Sequence, residues 1–272
     1  MSRSNHRFGV IVWLMTGPFD ASLLASHDMF RIGKDEFCVE GTAVNWILLR
    51  EGRDLTLIDA GYPGDVAALE ASIAEIGHRP EDVRAVLVTH AHVDHVGALN
   101  HLHERYGTPA LMHPDEVPNA TGERHESATP TDVAKRAWRP AVARWSLRIT
   151  RAGATQHPVV AHAAAFAADG PLDLPGRPVP VHVPGHTSGS TAYLLPEAGA
   201  VATGDALVTG HPLLRRPGPQ LLPSFFDHDP DRAVAALDVI GRLDADLVLP
   251  GHGDPWRGDL ALAATRAARL DR

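Results

Sequence analysis

The sequence has almost no cysteine and no long hydrophobic run. Its single cysteine, Cys38, excludes an internal disulfide among the 272 residues and is compatible with a cytoplasmic protein. No apolar stretch approaches the roughly 20 residues that a membrane helix needs, so we expect no membrane association. The formal net charge of −8 argues against a protein that binds nucleic acid through the phosphate backbone. We therefore expect a small-molecule substrate, and the sequence leaves the oligomeric state open.

The apolar run 8–15 follows two arginines and superficially resembles a secretion signal. It is short, and the segment after it contains Gly17-Pro18-Phe19-Asp20 where a small-residue cleavage site would be needed. We therefore predict a first β-strand over 8–15.

Short β-type runs alternate with helical patterns in both halves of the chain. The predicted strands cover 44–49, 55–58, 85–88, 179–183, 192–195, 200–203 and 247–249. Helical spacing of apolar residues predicts helices at about 66–76, at 230–243 after the N-cap Asp229, and at 260–270. Two similar halves, each a sheet with helices on its outer side, predict an α/β fold. We expect a four-layer αββα sandwich, formed by a single domain over 1–272, with a site at the strand ends.

The stretch from about 114 to 178 fits this scheme least well, and we interpret it as a partly helical insertion. Pro140 argues against one uninterrupted helix through this stretch. Two alternatives remain for Trp138 and Trp145: they form a lid over the site, or they pack the insertion onto the sandwich. Phe225, Phe226 and His228 are further candidates for a substrate pocket.

The segment His90-Ala91-His92-Val93-Asp94-His95 supplies three imidazoles and one carboxylate directly after a predicted strand. Zinc is bound by imidazole nitrogen and carboxylate oxygen. Residues two apart in extended backbone point the same way, so His90 and His92 can reach one metal ion. Asp94 and His95, where the chain turns into a helix, can reach a second ion.

Three more candidate ligands each follow a glycine near the end of a predicted strand: His186, Asp205 and His252. The remaining histidines have no evident ligand partners, and we predict that they are surface or packing residues. Among these are His113, His157, His162, His182 and His211.

The segment Thr-His-Ala-His-Val-Asp-His-Val-Gly, followed in order by Gly-His186, Gly-Asp205 and Gly-His252, resembles the metallo-β-lactamase superfamily. Leu57-Ile58-Asp59-Ala60-Gly61 resembles the early strand-end aspartate of that family. The resemblance implies that His90, His92 and His186 hold a first metal ion and that Asp94, His95 and His252 hold a second. Asp205 would bridge the two ions, which we expect to be two Zn²⁺, with iron or manganese as alternatives.

The resemblance also implies a mechanism. A hydroxide shared by the two metal ions would attack a polarised carbonyl, with no serine or cysteine nucleophile. Asp94 and Asp205 would be the catalytic carboxylates, and Asp94 would help to protonate the leaving group. Asp59 would orient a ligand histidine without touching metal.

Departures from the family's branches narrow the expected function. Asp205 stands where one major class of β-lactamases has cysteine, which argues against antibiotic hydrolysis and resembles glyoxalase II and the lactonases. Only 20 residues follow His252, so we expect no glutathione-binding domain of the glyoxalase II type. Val208 stands where many N-acyl homoserine lactonases have tyrosine. We expect a dinuclear zinc hydrolase of an ester, lactone or thioester. The alternatives are a mononuclear iron persulfide dioxygenase, a nuclease, or a non-catalytic protein with structural metals.

Overall fold

The computed structural model describes residues 27–127, 131, 133, 135–166 and 170–270. The strand predicted over 8–15 lies outside these residues. The described chain forms two β-sheets, and helices pack on the outer face of each sheet.

The first sheet has seven strands, which lie side by side in chain order. They are β1 (Asp28–Arg31), β2 (Glu36–Glu40), β3 (Asn45–Glu51), β4 (Asp54–Ile58), β5 (Val83–Leu87), β6 (Ala110–Met112) and β7 (Ala163–Ala165). Strands β1 to β4 pair antiparallel, and β4 to β7 pair parallel. The continuous apolar run 46–49 in β3 is buried throughout, as expected for a strand that is covered on both faces.

The second sheet has five strands in the order β12-β11-β10-β9-β8. They are β8 (Val179–His182), β9 (Thr191–Leu195), β10 (Ala200–Gly204), β11 (Leu247–Pro250) and β12 (Trp256–Arg257). Only β10 and β11 pair parallel. Strands β8, β10 and β11 therefore run in one direction, and their carboxyl ends lie at the same edge of the sheet.

The helices connect these strands. They are α1 (Val66–Glu75), α2 (Val93–Val96), α3 (Leu99–Tyr106), α4 (Val117–Ala120), α5 (Pro140–Arg151), α6 (Pro230–Ile240) and α7 (Leu260–Arg269). Short 3-10 helices lie at Pro63–Asp65, Pro80–Asp82, Pro114–Glu116, Pro196–Ala198 and Ser224–Phe226. The predicted cap of α6 is present, because the side chain of Asp229 accepts a hydrogen bond from the backbone N–H of Arg232 at 3.0 Å. No helix among the described residues has the length and apolar character needed to cross a membrane.

Three apolar cores hold the layers together. The first sheet packs against α1 and α3 through residues such as Leu69 and Leu102, and the second sheet packs against α6 and α7. Between the sheets, Ile47 and Leu87 of the first meet Leu249 of the second. The predicted four-layer αββα sandwich is confirmed.

The middle stretch is partly helical, as predicted, but it is not separate from the sandwich. Strand β7 pairs with β6 and forms the edge of the first sheet. Helix α5 begins at Pro140, a position where proline fits because the first helical N–H needs no partner. Two hydrogen bonds fix α5 to the first half of the chain: Gly64 N–H donates to Ala152 O at 2.8 Å, and Arg148 Nη2 donates to Gly41 O at 3.0 Å.

Candidate metal centre

Seven side chains converge at the edge of the sandwich where β5, β8, β10 and β11 end. His90, His92, Asp94 and His95 follow β5, and His186 follows β8. Asp205 directly follows β10, and His252 lies two residues after β11. The candidate ligands therefore come from both sheets. The backbone joins the sheets close by, because Thr191 N–H donates to Thr89 O at 2.9 Å.

Three imidazoles form what we call the first cluster: His90, His92 and His186. Nδ1 of His92 lies 3.1 Å from Nε2 of His90 and 3.1 Å from Nε2 of His186. The three nitrogens are close enough to bind one metal ion together. His90 and His186 are buried and His92 is half-buried.

Asp94, His95 and His252 form the second cluster, which again has three atoms close enough for one ion. Oδ2 of Asp94 lies 4.0 Å from Nε2 of His95 and 3.5 Å from Nε2 of His252. Asp205 lies between the clusters: its Oδ2 is 3.6 Å from His186 Nε2 and 3.2 Å from His252 Nε2. The geometry thus places one carboxylate within reach of both clusters.

Two buried polar atoms in this centre have no hydrogen-bond partner, Nε2 of His95 and Oδ1 of Asp205, although they lie 3.5 Å apart. Buried polar atoms are nearly always satisfied, so such atoms need an explanation. A Cβ at Gly251 would lie 2.3 Å from Asp205 Oδ1, so only glycine leaves this space open. Nitrogen and carboxylate atoms that face a shared space without partners fit divalent metal ions such as zinc.

The outer ring nitrogens of the cluster histidines are held by oxygen atoms. His95 Nδ1 donates to Oδ2 of Asp59 at 2.7 Å, where Asp59 also accepts from Thr89 N–H at 2.8 Å and Thr89 Oγ1 at 2.7 Å. Thr89 Oγ1 in turn lies 3.1 Å from His90 Nδ1. In the neutral form of each ring, this arrangement leaves the inner nitrogen with its lone pair toward the centre, and Asp59 holds His95 by its outer nitrogen.

Backbone carbonyls hold two further histidines in the same way. Nε2 of His92 donates to Glu126 O at 2.6 Å, and Nδ1 of His252 donates to Ala43 O at 2.7 Å. Ala43 has a positive φ of 62°, which is uncommon for a residue other than glycine. Local backbone conformation therefore helps to set the orientation of a candidate ligand.

Sequence reasoning missed two buried carboxylates that organise the centre. Asp227 lies 3.1 Å from Nδ1 of His186 through its Oδ1. Glu116 accepts from Ala91 N–H at 2.7 Å and from Thr187 Oγ1 at 2.6 Å. It thereby connects the segment of the first cluster to the loop that carries His186. The contacts of Glu116 span 25 and 71 positions along the chain, so no local sequence pattern predicts them.

The pKa values of the histidines in the centre are shifted in different directions. Burial lowers the pKa of His90 well below its usual value and lowers that of His92 to about 4. Burial also acts to lower the pKa of His95, but the nearby carboxylates, beginning with Asp59, raise it well above its usual value. Burial would raise the pKa of Asp205, but His252 and His95 hold it well below its usual value. Asp205 is therefore an anion, as a carboxylate ligand must be.

A cavity of about 580 Å³ opens onto the centre. Side chains of both clusters and Asp205 line its inner end. Its outer wall is mainly apolar and includes Val93, Val133, Trp145, Ile149, Ala154, Pro158, Val159, Leu222 and Phe226. Mostly apolar lining with a few convergent polar groups is typical of small-molecule sites.

Of the five predicted pocket residues, two line the cavity and three do not. Trp145 and Phe226 line the cavity, whereas the prediction was wrong for Trp138, which lies outside it with 81% of its surface exposed. Trp138 does not share a helix face with Trp145, because α5 begins only at Pro140.

Phe225 and His228 also lie outside the cavity lining. Phe225 packs against the Phe226 ring at 4.4 Å, with the Arg136 guanidinium 4.2 Å from its ring centre. His228 instead faces Glu126, with its Nε2 3.6 Å from Oε1. Both side chains thus turn toward polar neighbours beside the cavity.

His211 was predicted to be a surface or packing residue, but it lines the cavity. Its ring centre lies 4.8 Å from that of Trp145, 5.3 Å from that of His252 and 5.9 Å from that of Phe226. Burial lowers its pKa to about 3. The signal in the sequence was the pair Gly210-His211, which repeats the Gly-His pairs at 186 and 252.

A tyrosine hydroxyl also reaches the centre, from Tyr62 rather than from position 208. Tyr62 is buried after β4 and lines the cavity. Burial raises its pKa well above the usual value, and the charge of the Asp94 carboxylate acts in the same direction. Tyr62 and Asp94 both line the cavity.

Several known proteins are similar to this chain in sequence or in fold. A sequence model of the metallo-β-lactamase superfamily matches residues 39–252, a range that includes all seven converging side chains. The probable metallo-hydrolase YflN of Bacillus subtilis (strain 168) is 26% identical over 236 residues, 81% of this chain and 85% of that protein. Metallo-β-lactamase domain-containing protein 1 of Xenopus laevis is 28% identical over 241 residues, 86% of this chain and 82% of that protein. The crystal structure of a metallo-β-lactamase family protein from Thermus thermophilus matches with a TM-score of 0.57 at 26% identity, covering 82% of this chain and 72% of that one.

Proposed function

The chain belongs to the metallo-β-lactamase superfamily, and from that premise we propose that it is a dinuclear zinc hydrolase of a carboxylic ester, lactone or thioester. One observation carries the proposal: two three-atom clusters share Asp205, and the centre contains buried donor and acceptor atoms without partners. His90, His92 and His186 would hold one ion, and Asp94, His95 and His252 the other, with Asp205 between them.

Zinc ions held there would supply Lewis acidity and would activate water at neutral pH. The protein's own groups then have separate tasks. Asp59 and Asp227 hold the rings of His95 and His186 by their outer nitrogens. Asp94 borders the cavity, as Tyr62 does, and its Oδ2 lies 3.5 Å from His252 Nε2. It is therefore placed to take a proton from the attacking water and to return it to the departing group.

The cavity wall supports a substrate with an apolar part. Trp145 and Ile149 of α5 line the same cavity as Asp94 and His186, and Phe226 packs in one apolar cluster with both of these α5 residues. An apolar acyl or lactone chain would remove this surface from water, while the scissile carbonyl lies at the polar inner end. Of the two alternatives for this stretch, we propose the one in which it covers the site, as a wall built by α5.

Metal content and a substrate panel test this function. We expect about two zinc ions per chain and hydrolysis of at least one class among aryl esters, lactones and thioesters. Asp205→Asn should lower kcat at least about 100-fold, because it removes the carboxylate shared by both clusters. Asp238→Asn, the same chemical change on the exposed face of α6, is the matched control and should have no effect.

Two results would overturn the proposal. One is full activity of the Asp205→Asn variant on a good substrate. The other is a single iron per chain with oxygen uptake on a persulfide, which would instead support the dioxygenase alternative.

A further inference from the structure

We infer that His211 donates a hydrogen bond from Nε2–H to the departing oxygen of the substrate, which makes the site selective for oxygen esters and lactones over thioesters. The inference rests on the proposed hydrolase function and narrows it to one leaving atom.

The tautomer of His211 follows from a hydrogen bond to the backbone. The N–H of Leu213 donates to Nδ1 of His211 at 3.2 Å. A ring nitrogen that accepts a hydrogen bond carries no hydrogen of its own, so the ring hydrogen lies on Nε2. Among the hydrogen bonds of the described residues, none uses this Nε2, and the ring borders the cavity. His211 therefore presents an unused donor toward bound substrate.

The orientation of the ring is fixed before any substrate binds. Trp145, Phe226 and His252 each contact it edge-on, with interplanar angles of 74° to 75°. Arg139 Nη1 also donates to Leu213 O at 3.1 Å, which holds the residue that sets the tautomer. A donor held in place in this way stabilises developing charge without reorganisation during the reaction.

The loop that carries His211 is bonded directly to a candidate ligand. Thr209 and Gly210 both donate their N–H groups to the carbonyl of His252, at 3.1 and 3.3 Å. This close approach requires glycine at position 253, where a Cβ would lie 2.2 Å from Gly210 N. His211 is thus placed beside the second cluster, on the side of His252 that faces Trp145.

Asp94, which returns the proton to the departing atom in the proposed function, belongs to the same cluster as His252, so a donor beside His252 is placed to contact that atom. Hydrolysis forms a bond between the water oxygen and the acyl carbon, and breaks the acyl bond to the leaving atom, which takes the bonding pair. The leaving atom finally takes the proton that water gave up, carried by Asp94, while His211 keeps its own proton. An oxygen leaving atom accepts a hydrogen bond strongly, whereas sulfur accepts weakly. The hydrogen bond from His211 therefore favours the hydrolysis of oxygen esters and lactones over that of thioesters.

Two variants distinguish the effect of the hydrogen-bond donor of His211 from the effect of its ring. His211→Phe keeps a ring against Trp145 but has no donor, and His211→Gln places an amide N–H near the position of Nε2. On phenyl butyrate we expect His211→Phe to lose about 100-fold in kcat, and on S-phenyl thiobutyrate less than about threefold. His211→Gln should recover most of the loss on phenyl butyrate, and zinc content should be unchanged in both variants.

A second measurement does not depend on activity. In zinc-loaded protein with ¹⁵N-labelled histidine, the signals that His211→Gln removes should show an unprotonated Nδ1 and a protonated Nε2. A protonated Nδ1, or equal losses on both substrates in His211→Phe, would overturn the inference while leaving the hydrolase function intact. A wild-type protein that holds two zinc ions but hydrolyses neither substrate nor any lactone would overturn the proposed function itself.

Discussion

The substitution Asp59→Asn should weaken the second cluster and spare the first. Asp59 accepts three hydrogen bonds, from Thr89 N–H, Thr89 Oγ1 and His95 Nδ1. Asparagine has only one oxygen, and the amide nitrogen must replace one of the two accepting atoms. If the oxygen continues to accept from Thr89 N–H, the amide nitrogen faces Nδ1–H of His95, and two donors meet. His95 is then driven to the other tautomer, which removes the Nε2 lone pair from the centre.

The expected loss of metal affinity follows from the type of contact that is removed. Loss of an outer hydrogen-bond partner of a ligand histidine typically costs 10- to 100-fold in metal affinity, which corresponds to about 1.4–2.7 kcal/mol. The backbone should not add to this loss, because Asp59 has a φ of 64° and asparagine tolerates this region as well as aspartate does. The His90–His92–His186 cluster meets the Asp59 oxygen that His95 uses only through Thr89 Oγ1, and this hydroxyl can still accept from His90 Nδ1, so the affinity of the first cluster should change much less.

Stepwise zinc titration by calorimetry, with zinc content after dialysis against a weak chelator, measures the effect. We expect Asp59→Asn to retain about one ion under conditions in which the wild-type protein retains two. The matched variant is Asp227→Asn, which changes the partner of His186 Nδ1 and should weaken the first cluster instead. Equal losses in both variants, or an unchanged affinity in Asp59→Asn, would refute the assignment of these carboxylates to separate clusters.

Two further outcomes follow from the cavity and from the buried imidazoles. Trp145→Ala should raise KM about tenfold for butyryl or longer esters and little for acetyl esters, because the ring lines the cavity. Trp138→Ala is the exposed control, and equal effects of the two substitutions would contradict the assignment of the wall to α5. The metal-free protein should lose stability as the pH falls from about 6.5 to about 4. Burial lowers the pKa of His92 to about 4, so the unfolded chain takes up the proton first. The pKa of His95 is raised, so its contribution is already complete below pH 6.5 and does not oppose this loss. A urea midpoint that stayed constant across this range would show that the imidazole is not buried as described.

Local patterns in the sequence predicted the fold and the converging side chains. Strand β3 and its neighbours carry apolar runs, and the segment 90–95 concentrates four candidate ligands in six residues. Glycines marked the turns at 185, 204 and 251, so His186, Asp205 and His252 could be placed at strand ends before their sheet was known.

What the sequence did not predict depends on contacts between distant segments. Strand β7 consists of three alanines with low β-propensity and exists because β6 offers a free edge. Asp227 and Glu116 gain their roles from His186 and Thr187, which the fold brings to them. The Gly-His pair at 210 was visible, but no strand precedes it, and its place in the cavity depends on hydrogen bonds to the His252 carbonyl.

Helix α5, which forms part of the cavity wall, and the converging side chains occupy different pieces of chain. Helix α5 contributes Trp145 and Ile149 to the wall but none of the seven cluster residues, and it is attached to the sandwich through Gly64 and Gly41. Mutations on its inner face that leave Trp145 against the ring of His211 can therefore accumulate without changing any of the seven cluster residues. Under selection, this division would let the protein drift from one acyl chain to another while its hydrolytic chemistry is inherited unchanged.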